Sequence, residues 1–110
     1  MMEIIARLQK EERRIVQERR TVNRTPFMRP VRIRVLGNEG YEFLGYSKNI
    51  SPVGIGLILQ NEFPAGTIAR LSIHSLLNRP VHIHGELRWS EPFGVGWFLT
   101  GWKLLAEVKS

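Results

Sequence analysis

Short alternating runs of apolar and polar residues dominate the chain from Pro26 onward. The clearest run spans residues 81–89, where alternate positions are apolar and the positions between them are polar. Alternation with a period of two is typical of a strand that buries one face. The inward set is Val81, Ile83, Gly85, Leu87 and Trp89, and the outward set is His82, His84, Glu86 and Arg88.

Turn residues divide this region into six such runs, spaced by about 8–14 residues. The turns are Gly37–Gly40, Asn49–Pro52, Phe63–Thr67, Asn78–Pro80 and Ser90–Pro92. The spacing leaves no room for crossover helices, so it predicts an all-β fold, an antiparallel meander of six strands. Closing the meander into a barrel would remove its exposed edges. We assign Trp89, Trp97 and Trp102 to the core, and the apolar residues Trp102–Leu105 are compatible with a short C-terminal helix.

The first part of the chain has a different pattern. Apolar residues recur at roughly helical spacing, and neither Gly nor Pro interrupts residues 2–19, so the pattern predicts a helix there. Four charged residues, 11–14, break the apolar stripe, which leaves the helix's packing partner open. We therefore divide the chain into an N-terminal helix, residues 1–19, and a β-barrel domain, residues 20–110, with an arginine-rich arm at 19–24.

Charge and composition narrow the classes of function. The 110 residues carry a formal net charge of +6 and are 43% hydrophobic, enough for one domain with a packed core. A basic excess favours anionic partners, although it also serves solubility alone. The chain has no cysteine, which excludes disulfides and thiolate metal sites. It shows neither a leader-like apolar stretch nor a run long enough to span a bilayer, so we expect a soluble cytoplasmic protein.

Three arginines lie between the predicted helix and the first strand, at Arg19, Arg20 and Arg24. A guanidinium is planar, always charged, and able to bind phosphate oxygens or the O6/N7 edge of guanine through two parallel hydrogen bonds. If the segment bends, Arg20 and Arg24 converge on one ligand. The alternative is a solvated helix end, where cations are favoured by the helix dipole.

A second group of residues lies at a predicted strand–turn–strand junction. Asn49 and Ser51 are short polar residues that bond nearby backbone in turns. Gly54 and Gly56, inside a strand, indicate close approach by a ligand or by another backbone segment. The alternative is an ordinary turn with a bulge.

Taken together, the two groups resemble the PilZ domain. The R-x-x-x-R motif (Arg20, Arg24) is followed about 25 residues later by an N-x-S-x-x-G motif (Asn49, Ser51, Gly54). The resemblance extends to about Trp102 and includes the segment Gly94–Trp97. It implies a six-stranded antiparallel barrel that binds the bacterial second messenger cyclic di-GMP.

The resemblance also implies a role for each motif residue. Arg20 and Arg24 would hold the phosphates and a guanine face, and Arg19 would tune affinity and stoichiometry. Asn49 and Ser51 would contact a guanine or hold the arginine arm, and Gly54 would leave room for the ligand. Asn49 departs from the commoner Asp of the family, so an ion pair with an arginine is unavailable there. Signalling would pass to a downstream protein partner that the sequence does not name.

Three other classes of function are open to a basic β-barrel of this kind. A general binder of single-stranded nucleic acid would use outward Arg32, Arg34, Arg70 and Arg88, but the discrete motifs favour a nucleotide receptor. A PilZ-like protein-interaction module without ligand is the second, and the intact motifs argue against it. The third is an enzyme, for which the sequence offers no nucleophile paired with a base. His82 and His84 lack the third ligand that a zinc site needs, so we expect neither catalysis, metal nor cofactor.

Overall fold

The chain is predominantly β in a computed structural model that describes residues 2–16, 25–26, 28–38, 40–75 and 79–108. The described residues form one helix and seven strands. These are α1 (Met2–Val16), β1 (Thr25–Pro26), β2 (Pro30–Val35), β3 (Phe43–Ile50), β4 (Gly54–Leu59), β5 (Ile68–Ile73), β6 (Val81–Pro92) and β7 (Phe98–Glu107). The helix prediction is confirmed over Met2–Val16, and residues 17–19 of that prediction lie outside the described residues.

Strands β2 to β7 close into a six-stranded antiparallel barrel, which confirms the predicted fold class. Around the barrel the strands follow the order β3-β2-β5-β6-β7-β4, and β4 pairs back to β3. The two-residue strand β1 pairs with the end of β3 outside this closed ring. Closure gives each barrel strand a neighbour on both sides, so none is left as a bare sheet edge.

The order of the strands differs from the predicted meander at one connection. Strands β4 and β5 are consecutive in the chain but are not neighbours, because β5 pairs with β2 and β4 pairs with β7. The segment 60–67 therefore crosses one end of the barrel. Alternation of apolar residues determines which face a strand buries, and it carries no information about which strand lies beside it.

The core fills the barrel and extends under the helix. Inward residues of all six barrel strands are buried, including Val31, Ile50, Leu57 and Leu71. Helix α1 contributes Ile5 and Leu8, both fully buried in the same apolar cluster. Ile5 and Leu8 are three residues apart, so both lie on the same face of the helix, in the first half of its apolar stripe. The helix thus packs against its own barrel.

The predicted C-terminal helix is wrong. Residues Trp102–Leu105 lie within β7, which pairs with β4 on one side and with β6 on the other. Trp102 and Leu104 are buried, whereas Leu105 is exposed, as the two-residue period of a strand requires. Pairing on both sides satisfies the backbone of this segment more completely than a short terminal helix would.

Candidate functional site

The turn between β3 and β4 contains two of the predicted site residues, Ser51 and Gly54. The hydroxyl of Ser51 is buried and accepts hydrogen bonds from the backbone N–H groups of Gly54, at 3.2 Å, and Val53, at 3.4 Å. The N–H of Ser51 donates to the carbonyl of Gly54 at 2.9 Å. Ser51 therefore shapes the turn by side-chain-to-backbone hydrogen bonding.

Gly54 lies against another part of the backbone. A β-carbon built at this position would approach the carbonyl oxygen of Trp102 to 2.9 Å, because Gly54 is paired with Lys103 of β7. The carbonyl of Val53 in the same turn accepts a hydrogen bond from the N–H of Leu104 at 3.0 Å. The sequence left open whether a ligand or another backbone segment approaches this glycine, and in the structure a backbone segment does so.

Asn49 lies on the outer surface of β3, two residues before Ser51 of the turn. It is paired with Gly56 of β4, whose chain neighbours Ile55 and Leu57 both face the core. A β-carbon on Gly56 would point outward, and it would lie 3.0 Å from the Oδ1 atom of Asn49. The side-chain amide of Asn49 therefore lies flat over Gly56, on the solvent side of the sheet.

An aromatic ring lies on the next strand in the same way. Gly56 is paired with Gly101 of β7, and Gly101 is paired with Trp89 of β6. A β-carbon on Gly101 would collide with the indole of Trp89, so the ring covers this glycine. The Trp89 side chain is 45% exposed. We call this surface, formed by Asn49 over Gly56 and Trp89 over Gly101, the glycine platform.

The outward direction of Trp89 corrects the prediction that this residue belongs to the core. Of the three tryptophans, Trp102 is 2% exposed and lies in the barrel interior. The register of β6 against β7 shifts between Leu87 and Trp89, which is a β-bulge. One extra residue reverses the alternation, so Leu87 is buried while both Arg88 and Trp89 are exposed. Strict alternation along the sequence could not reveal the bulge.

A hollow lined by aromatic residues lies beside the glycine platform. It has a volume of about 260 Å³ and is lined by Met28, Tyr46, Ile58, Phe93 and Trp97. Ile58 is two residues beyond Gly56 on the outer face of β4, and it pairs with Tyr46 of β3. Phe93 and Trp97 are held by a turn in which the N–H of Phe93 donates to the carbonyl of Trp97 at 2.9 Å. The strand spacing predicted a core position for Trp97, whereas this residue lines a surface hollow.

The arginines of the first motif, Arg19, Arg20 and Arg24, lie outside the described residues, so their predicted roles stay predictions. The structure does describe where the following residues join the barrel. Thr25 is paired with Ile50, and Pro26 is paired with Asn49. The chain therefore meets the barrel beside the glycine platform one residue after Arg24.

Helix α1 also contacts the end of β3, beside Asn49. The side-chain amide of Gln9 donates a hydrogen bond to the carbonyl of Ile50 at 3.2 Å. Ile50 lies between Asn49 and Ser51 and is paired with Thr25. The helix, the short strand β1 and the second motif thus meet at one residue of β3.

Among the described residues, no group of three or more His or Glu side chains is placed to hold a metal ion. The same part of the chain contains no helix with the length and apolarity that crossing a bilayer requires.

The platform, the turn and the anchored N-terminal segment lie on a closed six-stranded antiparallel barrel, which defines the class of small β-barrel binding domains. Within that class, a sequence model of the PilZ domain matches residues 17–104. The chain belongs to the PilZ domain family, as the two motifs predicted. PilZ domains form a family of bacterial cyclic di-GMP receptors and adaptors.

A solved structure shares the fold. The chain is similar to the Bacillus subtilis inhibitor of motility (MotI/DgrA), with a TM-score of 0.64 and 22% sequence identity. The match covers 83% of this chain and 44% of that chain, so this chain spans less than half of the length of its structural neighbour. Identity at this level establishes the fold alone. A comparison with curated proteins found no significant match.

Proposed function

We propose that this chain is a receptor for cyclic di-GMP, which it binds on the glycine platform beneath the arginine arm. The observation that carries the proposal is the pairing of Thr25 and Pro26 with Ile50 and Asn49. This pairing brings the covalent attachment point of the R-x-x-x-R motif to the edge of a surface suited to a purine. A dianionic ligand with two guanines needs both cations and flat apolar surface, and in this proposal the arm brings the cations to the apolar surface.

The platform supplies the stacking surface and a polar edge. The exposed indole of Trp89 lies flat on the sheet, so a guanine can stack on its free face, an interaction worth roughly 1–3 kcal/mol per base. The amide of Asn49 lies on the neighbouring strand, and it can both donate to and accept from the edge of a stacked base. The hollow beside Tyr46 and Trp97 offers a second apolar surface for the other guanine.

The arm supplies the charge. Arg20 and Arg24 would bind the phosphates and the O6/N7 edge of a guanine through paired hydrogen bonds. Arg24 directly precedes Thr25 in the sequence, and Thr25 is paired with Ile50. Arg19, next to the motif, would set affinity and the number of ligand molecules bound.

Ser51 and Gly54 support the site from beneath. The buried hydroxyl of Ser51 bonds within the turn, and Gly54 is packed against the backbone of Trp102. In this proposal both residues hold the β3–β4 turn, which positions Asn49, and neither touches the ligand. The family resemblance gave Ser51 either contact with a guanine or a hold on the arginine arm, whereas its hydrogen bonds favour a third role, in which it shapes the turn.

Ligand binding would reach a partner through helix α1. The segment that carries the arginines joins the helix to β1, and Gln9 bonds the carbonyl of Ile50 at the edge of the platform. An arm that closes over the ligand contacts it in one arrangement and not in the other, which is the condition for shifting the balance between them. The helix surface would then change for a downstream protein.

Calorimetric titration with cyclic di-GMP, GTP and single-stranded RNA at physiological salt tests the proposal. We expect a discrete stoichiometry and a preference for cyclic di-GMP. Arg20→Ala and Arg24→Ala should each weaken binding at least about tenfold, because losing a desolvated, hydrogen-bonded arginine costs roughly 2–5 kcal/mol. Arg88→Ala, which removes an exposed arginine outside the motif, is the matched control and should leave affinity within about twofold.

Two outcomes would contradict the proposal. A folded protein that ignores cyclic di-GMP at high micromolar concentration is not its receptor. Unchanged affinity in both arginine variants would remove the arm from the site. Tighter binding of RNA, with a steep loss of affinity as salt rises, would instead identify a nucleic-acid binder.

A further inference from the structure

A second cationic surface lies on the side of the barrel opposite to the glycine platform. Around the closed ring, β5 is three strands away from β4 in either direction. The outer face of β5 and of its neighbours β2 and β6 carries five basic residues, all with outward side chains. They are Arg32, Arg34, Arg70, His82 and His84.

The arginines of this face are arranged at a cost to stability. Arg34 is directly opposite Arg70 in the β2–β5 pairing, and like charges in opposed positions destabilise a sheet. Glu42 bonds the Nε atom of Arg34 at 3.1 Å, which compensates one of the two charges. Within the described part of the chain, neither Arg32 nor Arg70 has a carboxylate partner. Arg70 thus keeps an uncompensated charge opposite another arginine, a cost to stability of the kind that functional surfaces retain.

Four of the basic side chains line a groove of about 210 Å³ together with Glu42 and Ser72. They are Arg32, Arg34, Arg70 and His82. The hydroxyl of Ser72 and the Nδ1 atom of His82 are hydrogen-bonded at 2.7 Å on the floor of the groove. Burial lowers the pKa of His82, and the nearby charges of Arg70 and Arg32 lower it further. The imidazole thus experiences the positive potential of both arginines, which an anionic group in the groove would relieve.

An apolar groove continues from the basic one. It has a volume of about 290 Å³ and is lined by Pro30, Arg32, Leu44, Ser72, His74 and Pro80. Arg32 and Ser72 line both grooves, so the two are contiguous. Leu44 is 56% exposed at this surface. An occupant of both grooves must therefore carry negative charge next to an apolar side chain.

We propose that this face binds an acidic segment of a partner protein, with carboxylates in the basic groove and a neighbouring apolar side chain against Leu44 and Pro30. Charge complementarity selects the carboxylates, and the contiguous apolar groove selects a peptide rather than a free anion. The basic groove is separate from the glycine platform, whereas the apolar groove adjoins the hollow at Pro30, which is paired with Tyr46. A failure of nucleotide binding would leave this proposal intact.

The same face lacks what a binder of single-stranded nucleic acid needs. Such proteins alternate cations with aromatic rings on which bases stack. The outward residues of β2, β5 and β6 that line the two grooves include no Phe, Tyr or Trp among the described residues. Phosphate contacts alone would remain, and these should be tested as a rival outcome.

The test is a titration of the full chain with an acidic heptapeptide, which has leucine at its central position and glutamate at the other six. Amide chemical shifts of the protein follow the binding. A peptide of glutamate alone, one with lysine in place of glutamate, and oligothymidylate serve as comparison ligands. We expect the leucine peptide to bind most tightly and to shift the amides of Arg32, Leu44 and Ser72. Arg70→Glu should weaken it at least about tenfold by placing a like charge in the groove.

Arg88→Glu is the matched control, because it changes the net charge equally from an exposed position outside both grooves. It should change affinity by less than about twofold, since rim charges act mainly through long-range attraction. Thermal melting checks that each variant folds. Should Arg70→Glu fail to fold, Arg70→Gln carries the same test without reversing the charge.

Several results would overturn the proposal. One is the absence of shifts at millimolar peptide in a folded protein. Others are equal losses of peptide affinity in the Arg70 and Arg88 variants, or equal affinity for the peptides with and without leucine. A further one is tighter binding of oligothymidylate that shifts the same amides. The last of these would assign the face to nucleic acid.

Discussion

At the scale of single residues, the N-x-S-x-x-G motif divides into one residue that faces the surface and two that build the turn. Asn49 lies over Gly56 on the outside of the barrel. Ser51 is 5% exposed and bonds the backbone of its own turn. Gly54 is packed against the carbonyl of Trp102. The motif therefore combines the position of a recognition group with the support that fixes it.

Two glycine substitutions should separate support from recognition. In Gly54→Ala the new methyl meets backbone at 2.9 Å and has no room, so we expect a loss of about 1–3 kcal/mol in the free energy of unfolding. In Gly101→Ala it meets the indole of Trp89 at Cε2, Nε1 and Cζ2, and this exposed side chain can rotate away. That variant should stay folded, show altered tryptophan fluorescence and bind cyclic di-GMP more weakly.

Urea denaturation and a nucleotide titration measure the two effects. Equal losses of stability in both variants would show that Trp89 is a structural residue and would remove it from the platform. Full affinity in Gly101→Ala, with a displaced ring, would likewise exclude stacking on the indole.

At the scale of elements, the sequence specified the strands well and their irregularities poorly. The six alternating runs became the six barrel strands, because burying one face of a strand imposes a two-residue period. The bulge in β6 escaped prediction, since it depends on the register against β7, a partner distant in sequence. The site residue Trp89 was missed for that reason. The connection from β4 to β5 was missed because alternation does not encode neighbours.

Helix α1 was predicted correctly over Met2–Val16, and the sequence left its packing partner open. The charged residues 11–14 interrupt the apolar stripe, yet Ile5 and Leu8, with the partly buried Ile4 beside them, dock the first turns on the barrel. Docking beside Ile50 places the helix where an arm over the platform could influence it.

Leu8→Ala tests this docking. Removing a fully buried leucine side chain should lower the free energy of unfolding by about 2–5 kcal/mol. Arg7→Ala, an exposed neighbour on the same helix, should change it by less than about 0.5 kcal/mol. Denaturant titration of both variants makes the comparison. Matching stabilities would show that the helix contributes nothing to the core.

At the scale of the whole molecule, the barrel presents two unlike surfaces on opposite sides. One carries the glycine platform, where the helix, β1 and the second motif meet at Ile50. The other carries the basic groove around Arg70 and the apolar groove around Leu44. From the sequence, the motif residues and the basic excess could be recognised. That the outward arginines of β2 and β5 gather on one face follows only from the closed strand order.

The central claim is that cyclic di-GMP lies on the glycine platform. Amide and indole N–H chemical shifts of the full chain, recorded with increasing cyclic di-GMP, test it most directly. We expect the largest shifts at the amides of Gly56 and Gly101 and at the indole N–H of Trp89, while the amides of Arg70 and Ser72 stay unchanged. Saturable shifts centred on Arg70 and Ser72, with the platform signals unmoved, would contradict it.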